Sequence, residues 1–298
     1  MPKTSSRAIT SPAGTADTME VLANVILPIE KLRKVVDQTN ACIVWGGAMN
    51  LAPADDKIIE VEHPLSLDVE GQMLASVMAK KASVGATHVL IDIPYGKNAK
   101  CKTLPHANHL KKMFILLGNK LRMKTKVILT NGNGPIGRGI GPALEARDVL
   151  WVLQNNERAP SDLKEKSIRL AGMILETAGI KNGLKTAQSL LESGEAWQKM
   201  RQIITAQGER PKAKPGRFVI EIKSQKTGKV QQISNLAIER IARAAGAPDN
   251  KGAGLYLYKR TGDAVKKGEP LSALHTESAI KMNFAWEVAK QNQPFLVR

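Results

Sequence analysis

Short apolar runs of strand length alternate with stretches of helical periodicity through the first two thirds of this chain, and that alternation constrains the fold more than any other feature. CIVWGG (42–47), HVLIDIP (88–94) and KVILTN (126–131) are too short for core helices and are bounded by glycine, proline or asparagine. Between and after them lie MLASVMAKKASVG (73–85), a segment near 105–122 and another from about 140 to 154, all with helical spacing. Strand and helix in repeated alternation predict an α/β fold, a mostly parallel mixed sheet covered by helices. Ligands of such sheets sit beyond the carboxyl ends of the strands.

Segments 161–178 and 183–207 read as further helices, ended by Gly179 and Gly208 at C-cap positions. Residues 209–216 are rich in proline and basic side chains and cannot continue a helix, so they read as a linker. The predicted division is therefore an α/β domain at 1–208 and a smaller α+β domain at 217–298. FVIEIKS, VQQIS, the helix LAIERIARAAG and GLYLYK belong to the second. With 298 residues, 43% of them hydrophobic, the chain has material for both cores.

Cys42 and Cys101 are the only cysteines, with no CxxC pair and no cluster at metal-ligand spacing, which argues for a reducing compartment and against structural zinc. No apolar run approaches the ~20 residues that cross a bilayer, and the N-terminus lacks a signal-peptide core. A cytoplasmic protein with no membrane partner is expected. A net charge of +17 favours an anionic partner. Nucleic acid is the weaker candidate, because aromatics make up only 4% and the lysines are spread rather than striped; a phosphate-bearing small molecule is the better match.

The most informative stretch runs from Ser5 to Glu20. Ser5, Ser6, Thr10, Ser11 and Thr15 supply five hydroxyls within eleven residues, Arg7 a guanidinium, and Pro12 and Gly14 an open turn before a helix carrying Asp17 and Glu20. Hydroxyls, arginine and backbone N–H groups at a helix start are what a phosphate or sugar oxygen requires. The plainer reading is Ser11 or Thr15 as a helix N-cap. Likewise Asp68 reads as an N-cap before a helix at 69–81. Ser76 and Lys80, four apart on a predicted helix, share a face.

The segment Ser5-Ser6-Arg7, with its Gly14-Thr15-Ala16-Asp17-Thr18-Met19-Glu20 tail, resembles the signature of the thymidine and pyrimidine nucleoside phosphorylases, and most closely the branch containing AMP phosphorylases. In the same order follow Trp45-Gly46-Gly47-Ala48, Asn50 to Asp56, Glu62 to Asp68, Leu74 to Lys81, and Asp92 to Lys97 with Lys100 behind. This resemblance implies an enzyme that splits a glycosidic bond with inorganic phosphate as co-substrate and needs no other cofactor or metal. It implies that Ser6, Arg7, Ala8, Ile9, Thr10, Ser11 and Thr15 line the nucleotide pocket, that Asp68 donates the proton, and that Ser76, Lys80 and Lys100 contact substrate. Thymidine is the first substrate expected, AMP the second; Val61 stands where an arginine reads the pyrimidine in thymidine phosphorylases proper. A hammerhead-like, partly barrel-shaped domain is implied at the C-terminus. The resemblance also places a Lys-His-Ser-x-Gly-Gly phosphate segment and a helical dimerisation domain upstream, so the chain reads as part of a homodimeric parent, and the rival reading is an inactive fragment or a basic nucleic-acid binder.

Asp68 can donate only if protonated, which needs burial or a neighbouring carboxylate; Glu70 is the nearest in sequence. Two motifs read as structural. Gly132-Asn133-Gly134-Pro135-Ile136-Gly137 satisfies GxGxxG after a strand, but no acidic residue ends a following strand about 20 positions on. Gly262 to Leu271 resembles a carrier-domain turn, with Lys281 near the place of a carrier lysine, but the flanking residues do not match. His63, before Pro64, reads as a turn residue.

Overall fold

The computed structural model describes residues 1–49, 70–211 and 213–298. Asn50 to Asp56, Val61, His63 and Asp68 lie outside the described residues, as does Lys212.

Strand β1 (Pro2–Ser5) pairs parallel with β2 (Cys42–Trp45), and helices α1 (Thr15–Glu20) and α2 (Ile29–Thr39) connect them. A second parallel pair, β3 (His88–Tyr95) and β4 (Lys124–Asn131), is joined by α4 (Leu104–Lys120), with α3 (Glu70–Ala82) ahead of it. The period of two in HVLIDIP works as expected: Val89, Ile91 and Ile93 are buried. They pack with Leu74 and Met78 of α3 and Leu110 and Phe114 of α4. Each such side chain contributes about 1.5–3 kcal/mol when fully buried, which fixes α3 and α4 on the pair. Thr103 caps α4 by accepting from His106 N, and Pro105 in the first turn has no N–H to leave unsatisfied.

After the short strand β5 (Gly139–Ile140), helix α5 (Pro142–Leu153) starts at a proline, and α6 (Ser161–Thr177) follows. The single helix expected over 183–207 is two, α7 (Gly183–Glu192) and α8 (Glu195–Gln207). Gly194 between them has φ 81°, in the left-handed region where the α-helix breaks.

The C-terminal unit is α+β and mostly antiparallel. It contains β6 (Phe218–Lys223), β7 (Gly228–Ile233), α9 (Asn235–Ala244), β8 (Gly254–Leu257), β9 (Ala264–Val265), β10 (Pro270–Thr276), α10 (Ala279–Asn292) and β11 (Phe295–Val297). Among the described residues no barrel closes: the strands form one sheet ordered β5-β8-β10-β6 and another ordered β11-β7-β9. β5 comes from before residue 209, so the larger of these sheets draws strands from both sides of the 209–216 stretch. Gly141 makes the junction possible; its φ is 106°, and a Cβ there would stand 2.3 Å from Ala253 O. Among the described residues, no helix is long and apolar enough to cross a membrane.

Candidate active site

Strand β1 delivers the chain at Ser5 into the hydroxyl-rich loop, and α1 begins at Thr15, with Gly14 as its N-cap. Asp17, at the third helical position, points back rather than outward. Its Oδ2 accepts from Ala8 N at 2.7 Å and Gly14 N at 3.0 Å, and its Oδ1 accepts from Arg7 Nη1 at 2.9 Å. The two ends of the 8–14 loop are thus tied to one buried carboxylate. Gly14 is required by the closeness of that return: a Cβ would lie 2.7 Å from Ser6 O, Arg7 C and Ala8 N.

Arg7 is placed differently from a free phosphate ligand. Its guanidinium grips both oxygens of Glu20, at 2.7 and 2.8 Å, and stacks 4.8 Å from the Trp45 ring centroid. Lys251 Nζ reaches the same Glu20 at 2.9 Å. The hydrogen bond from Arg7 first, and that from Lys251 next, outweigh burial and hold the Glu20 carboxyl at about 2. Arg7 is therefore the internal tie of the loop.

Ser11 and Thr15 line a cleft of about 490 Å³ together with Thr18, Glu145 and Glu239. Glu145 Oε1 accepts from Gly141 N at 3.1 Å, and its Oε2 lies 3.1 Å from Thr18 Oγ1. Burial, ahead of its hydrogen bonds, raises this carboxyl to about 7. Thr18 donates onward to Gly14 O at 3.2 Å, so a proton on Glu145 completes a chain into the loop.

Ser76 and Lys80 meet as their spacing predicts, with Lys80 Nζ donating to Ser76 Oγ at 2.7 Å. Thr4 Oγ1 donates to Lys80 O at 3.4 Å, which ties α3 to the strand that enters the loop. Lys81 is brought down to about 8, by burial first and then by Lys3 and Lys80. The result is a basic cluster beside β1. Lys100 lies in the turn after β3, where its charge acts on Glu239. Ser6, Ala8, Ile9 and Thr10 take part through the backbone: Ser6 O accepts from Ala16 N at 3.4 Å, and the carbonyls of Ile9 and Thr10 face Arg243.

Glu70, at the start of α3, does not stand free. Its two oxygens pair with His106 Nε2 at 3.0 Å and His109 Nε2 at 2.8 Å, which lower its pKa. Sequence reasoning missed this pair, as it missed Glu145 and Arg243. The Gly14 to Asp17 spacing was a readable signal: an acidic residue at the third helical position can accept from the N-cap N–H, the half of a capping box that a glycine N-cap allows. No local signal marks Arg243, which lies more than two hundred residues from the loop.

The Gly132 to Gly137 motif is a loop between β4 and β5, and no helix starts within it. Arg260 binds its Pro135 and Gly137 carbonyls, which makes it a packed junction. Lys281 lies on α10 and donates to Asn250, not at a hairpin tip. No group of three or more His, Cys, Asp or Glu among the described residues could hold a metal ion.

Residues 229–295 match the family model of the pyrimidine nucleoside phosphorylase C-terminal domain. The whole chain aligns at 47% identity over 300 residues with the Legionella pneumophila (strain Paris) protein named "Putative thymidine phosphorylase", covering 58% of that protein. It aligns at 48% over 303 residues with AMP phosphorylase 1 of Archaeoglobus fulgidus and at 48% over 305 with the AMP phosphorylase of Pyrococcus furiosus, covering 60% of each. The chain thus spans about 60% of the length of these curated relatives, and it is similar to them along its own full length.

Proposed function

We propose that this chain serves the phosphorolysis of a nucleoside or nucleotide. An oxygen of inorganic phosphate attacks the anomeric carbon, the N-glycosidic bond breaks with its electron pair leaving on the base, and the base takes up a proton. The products are a sugar 1-phosphate and the free base. The observation that carries this reading is the loop closed by Asp17, which fixes Ser11 and Thr15 along a cleft while the Ser76–Lys80 pair is tied to the strand that enters the loop. Similarity to proteins named thymidine phosphorylase and AMP phosphorylase supports the same chemistry. A fixed loop places hydroxyls before the reaction begins, and such positioning is a major part of the rate of a displacement.

In this reading Asp68 protonates the departing base, where negative charge develops. Ser76 and Lys80 face the base, and Lys100 contacts the sugar or its substituent. Thymidine is the first candidate, giving thymine and 2-deoxy-D-ribose 1-phosphate. One observation bears on the rival, AMP to adenine and ribose 1,5-bisphosphate. Arg7 is engaged by Glu20, so a 5′-phosphate would rest on the loop hydroxyls and Lys100 instead. Assaying base release from thymidine, uridine, AMP and CMP, with and without phosphate, tests the proposal. Release that needs phosphate supports it and identifies the base; release at the same rate without phosphate points to hydrolysis and overturns it.

A further inference from the structure

One face of α9 touches three of the described loops of the candidate site. Asn235, Glu239 and Arg243 are successive i, i+4 neighbours on this helix and so form a single stripe. At its start, Asn235 Nδ2 donates to Asn98 O at 3.0 Å and Gly132 O at 3.2 Å, bridging the turn after β3 to the loop after β4. One turn on, Glu239 lines the same cleft as Ser11 and Thr15 and lies within electrostatic reach of Lys100. At the next turn, Arg243 Nη1 donates to both Ile9 O and Thr10 O, at 2.9 Å each. These two carbonyls belong to the hydroxyl-rich loop, between Ala8 and Gly14, whose N–H groups Asp17 holds.

The loop therefore has two anchors. Asp17, paired with Arg7, holds its two ends from within the segment itself, and Arg243 holds its Ile9 and Thr10 carbonyls from the C-terminal unit. A guanidinium is suited to this position, since its planar donors can serve two adjacent carbonyls at once while its charge stays partly hydrated. With these two carbonyls released, Ser11 is no longer fixed against the cleft wall, and a ligand has to order the segment as it binds.

We propose that Arg243 is a positioning residue for substrate: from the C-terminal unit it holds the Ser6–Ser11 loop in its ligand-ready shape, and the stripe it shares with Glu239 and Asn235 makes that unit one wall of the nucleotide cleft. The proposal rests on the phosphorolytic reading of the site. It gives the C-terminal unit a part in binding, not in chemistry, because Arg243 reaches the loop backbone rather than a reacting atom.

The test uses the whole chain as Arg243→Met, which keeps the apolar stem and removes the donors, and as Arg243→Lys, which restores charge and one donor group. Amide hydrogen exchange is followed without ligand, and inorganic phosphate, thymidine and AMP are titrated separately by calorimetry. Expected for Arg243→Met are exchange at least tenfold faster at residues 8–14, unchanged protection in β6, β8 and β10, and affinity at least fivefold weaker for whichever ligand the unaltered protein binds. Arg243→Lys should recover part of both losses. Unchanged loop exchange overturns the proposal. So does faster exchange with unchanged affinity, since the contact would then be structural only. If β6, β8 and β10 also lose protection in Arg243→Met, Arg243→Lys decides by the same two criteria. An unaltered protein that binds none of the three ligands overturns the functional reading itself, a result distinct from a variant that binds as well as the unaltered protein.

Discussion

Replacing Asp17 by asparagine changes the loop at the point where its internal contacts converge. The carboxylate is buried, with its side chain 2% exposed, and accepts from two backbone N–H groups and one guanidinium nitrogen. Asparagine has the same shape but only one acceptor oxygen. Whichever way its amide turns, an NH₂ faces either Arg7 or the pair of backbone donors, so at least one buried donor is left without an acceptor. Leaving a buried donor unsatisfied costs about 1–3 kcal/mol, and loss of the charge from a buried ion pair adds to that. Arg7 keeps Glu20 and Lys251 keeps it also, which limits the total. The expected loss is about 2–4 kcal/mol, concentrated at residues 8–14. Urea unfolding followed by tryptophan fluorescence gives the global figure, and hydrogen exchange at Ala8 and Gly14 gives the local one. A midpoint that moves by less than the equivalent of about 0.5 kcal/mol, with both amides still protected, would refute the claim that this carboxylate closes the loop.

Gly14→Ala forces a Cβ to within 2.7 Å of three backbone atoms and should destabilise the protein by several kcal/mol; thermal unfolding at matched concentration measures it. Stability should depend on pH on two limbs. Glu20, lowered to about 2, contributes stability that is complete above about 4.5 and is lost as pH falls toward 2; Glu20→Gln should flatten that acid limb in urea midpoints. Glu145, raised to about 7, holds its proton in the folded state, so stability should fall as pH rises from about 4.5 to 7, by on the order of 3 kcal/mol, and Glu145→Gln should remove the slope. Asp68→Asn should cut turnover far more than it weakens substrate binding, as steady-state kinetics would show through kcat with KM nearly constant.

The α/β character was legible because its signal is local. In β3 the alternation of buried Val89, Ile91 and Ile93 is written directly in HVLIDIP. The break between α7 and α8 was harder to read, because Ser193 and Gly194 interrupt a helical pattern without changing its polarity. Strand β1 has no strand signature at all: Pro2 to Ser5 is short and polar and becomes a strand by pairing with β2. The site divides the same way. Ser76 and Lys80 are four apart on one helix, and their contact follows from helical geometry. Arg7 has the residue type that suits phosphate, yet a sequence carries no record of which carboxylate lies nearest in space, and Glu20 occupies it. Arg243 and Glu145 come to the loop only through tertiary packing, which is why composition and spacing pass over them.

Phosphate-dependent base release from thymidine and from AMP tests the central claim most directly, with calorimetric titration of inorganic phosphate on the same preparation. Phosphorolysis predicts that free base appears with one of the two substrates only when phosphate is present, in equal amount to a sugar 1-phosphate. No base from either substrate, together with no binding of phosphate, would contradict it.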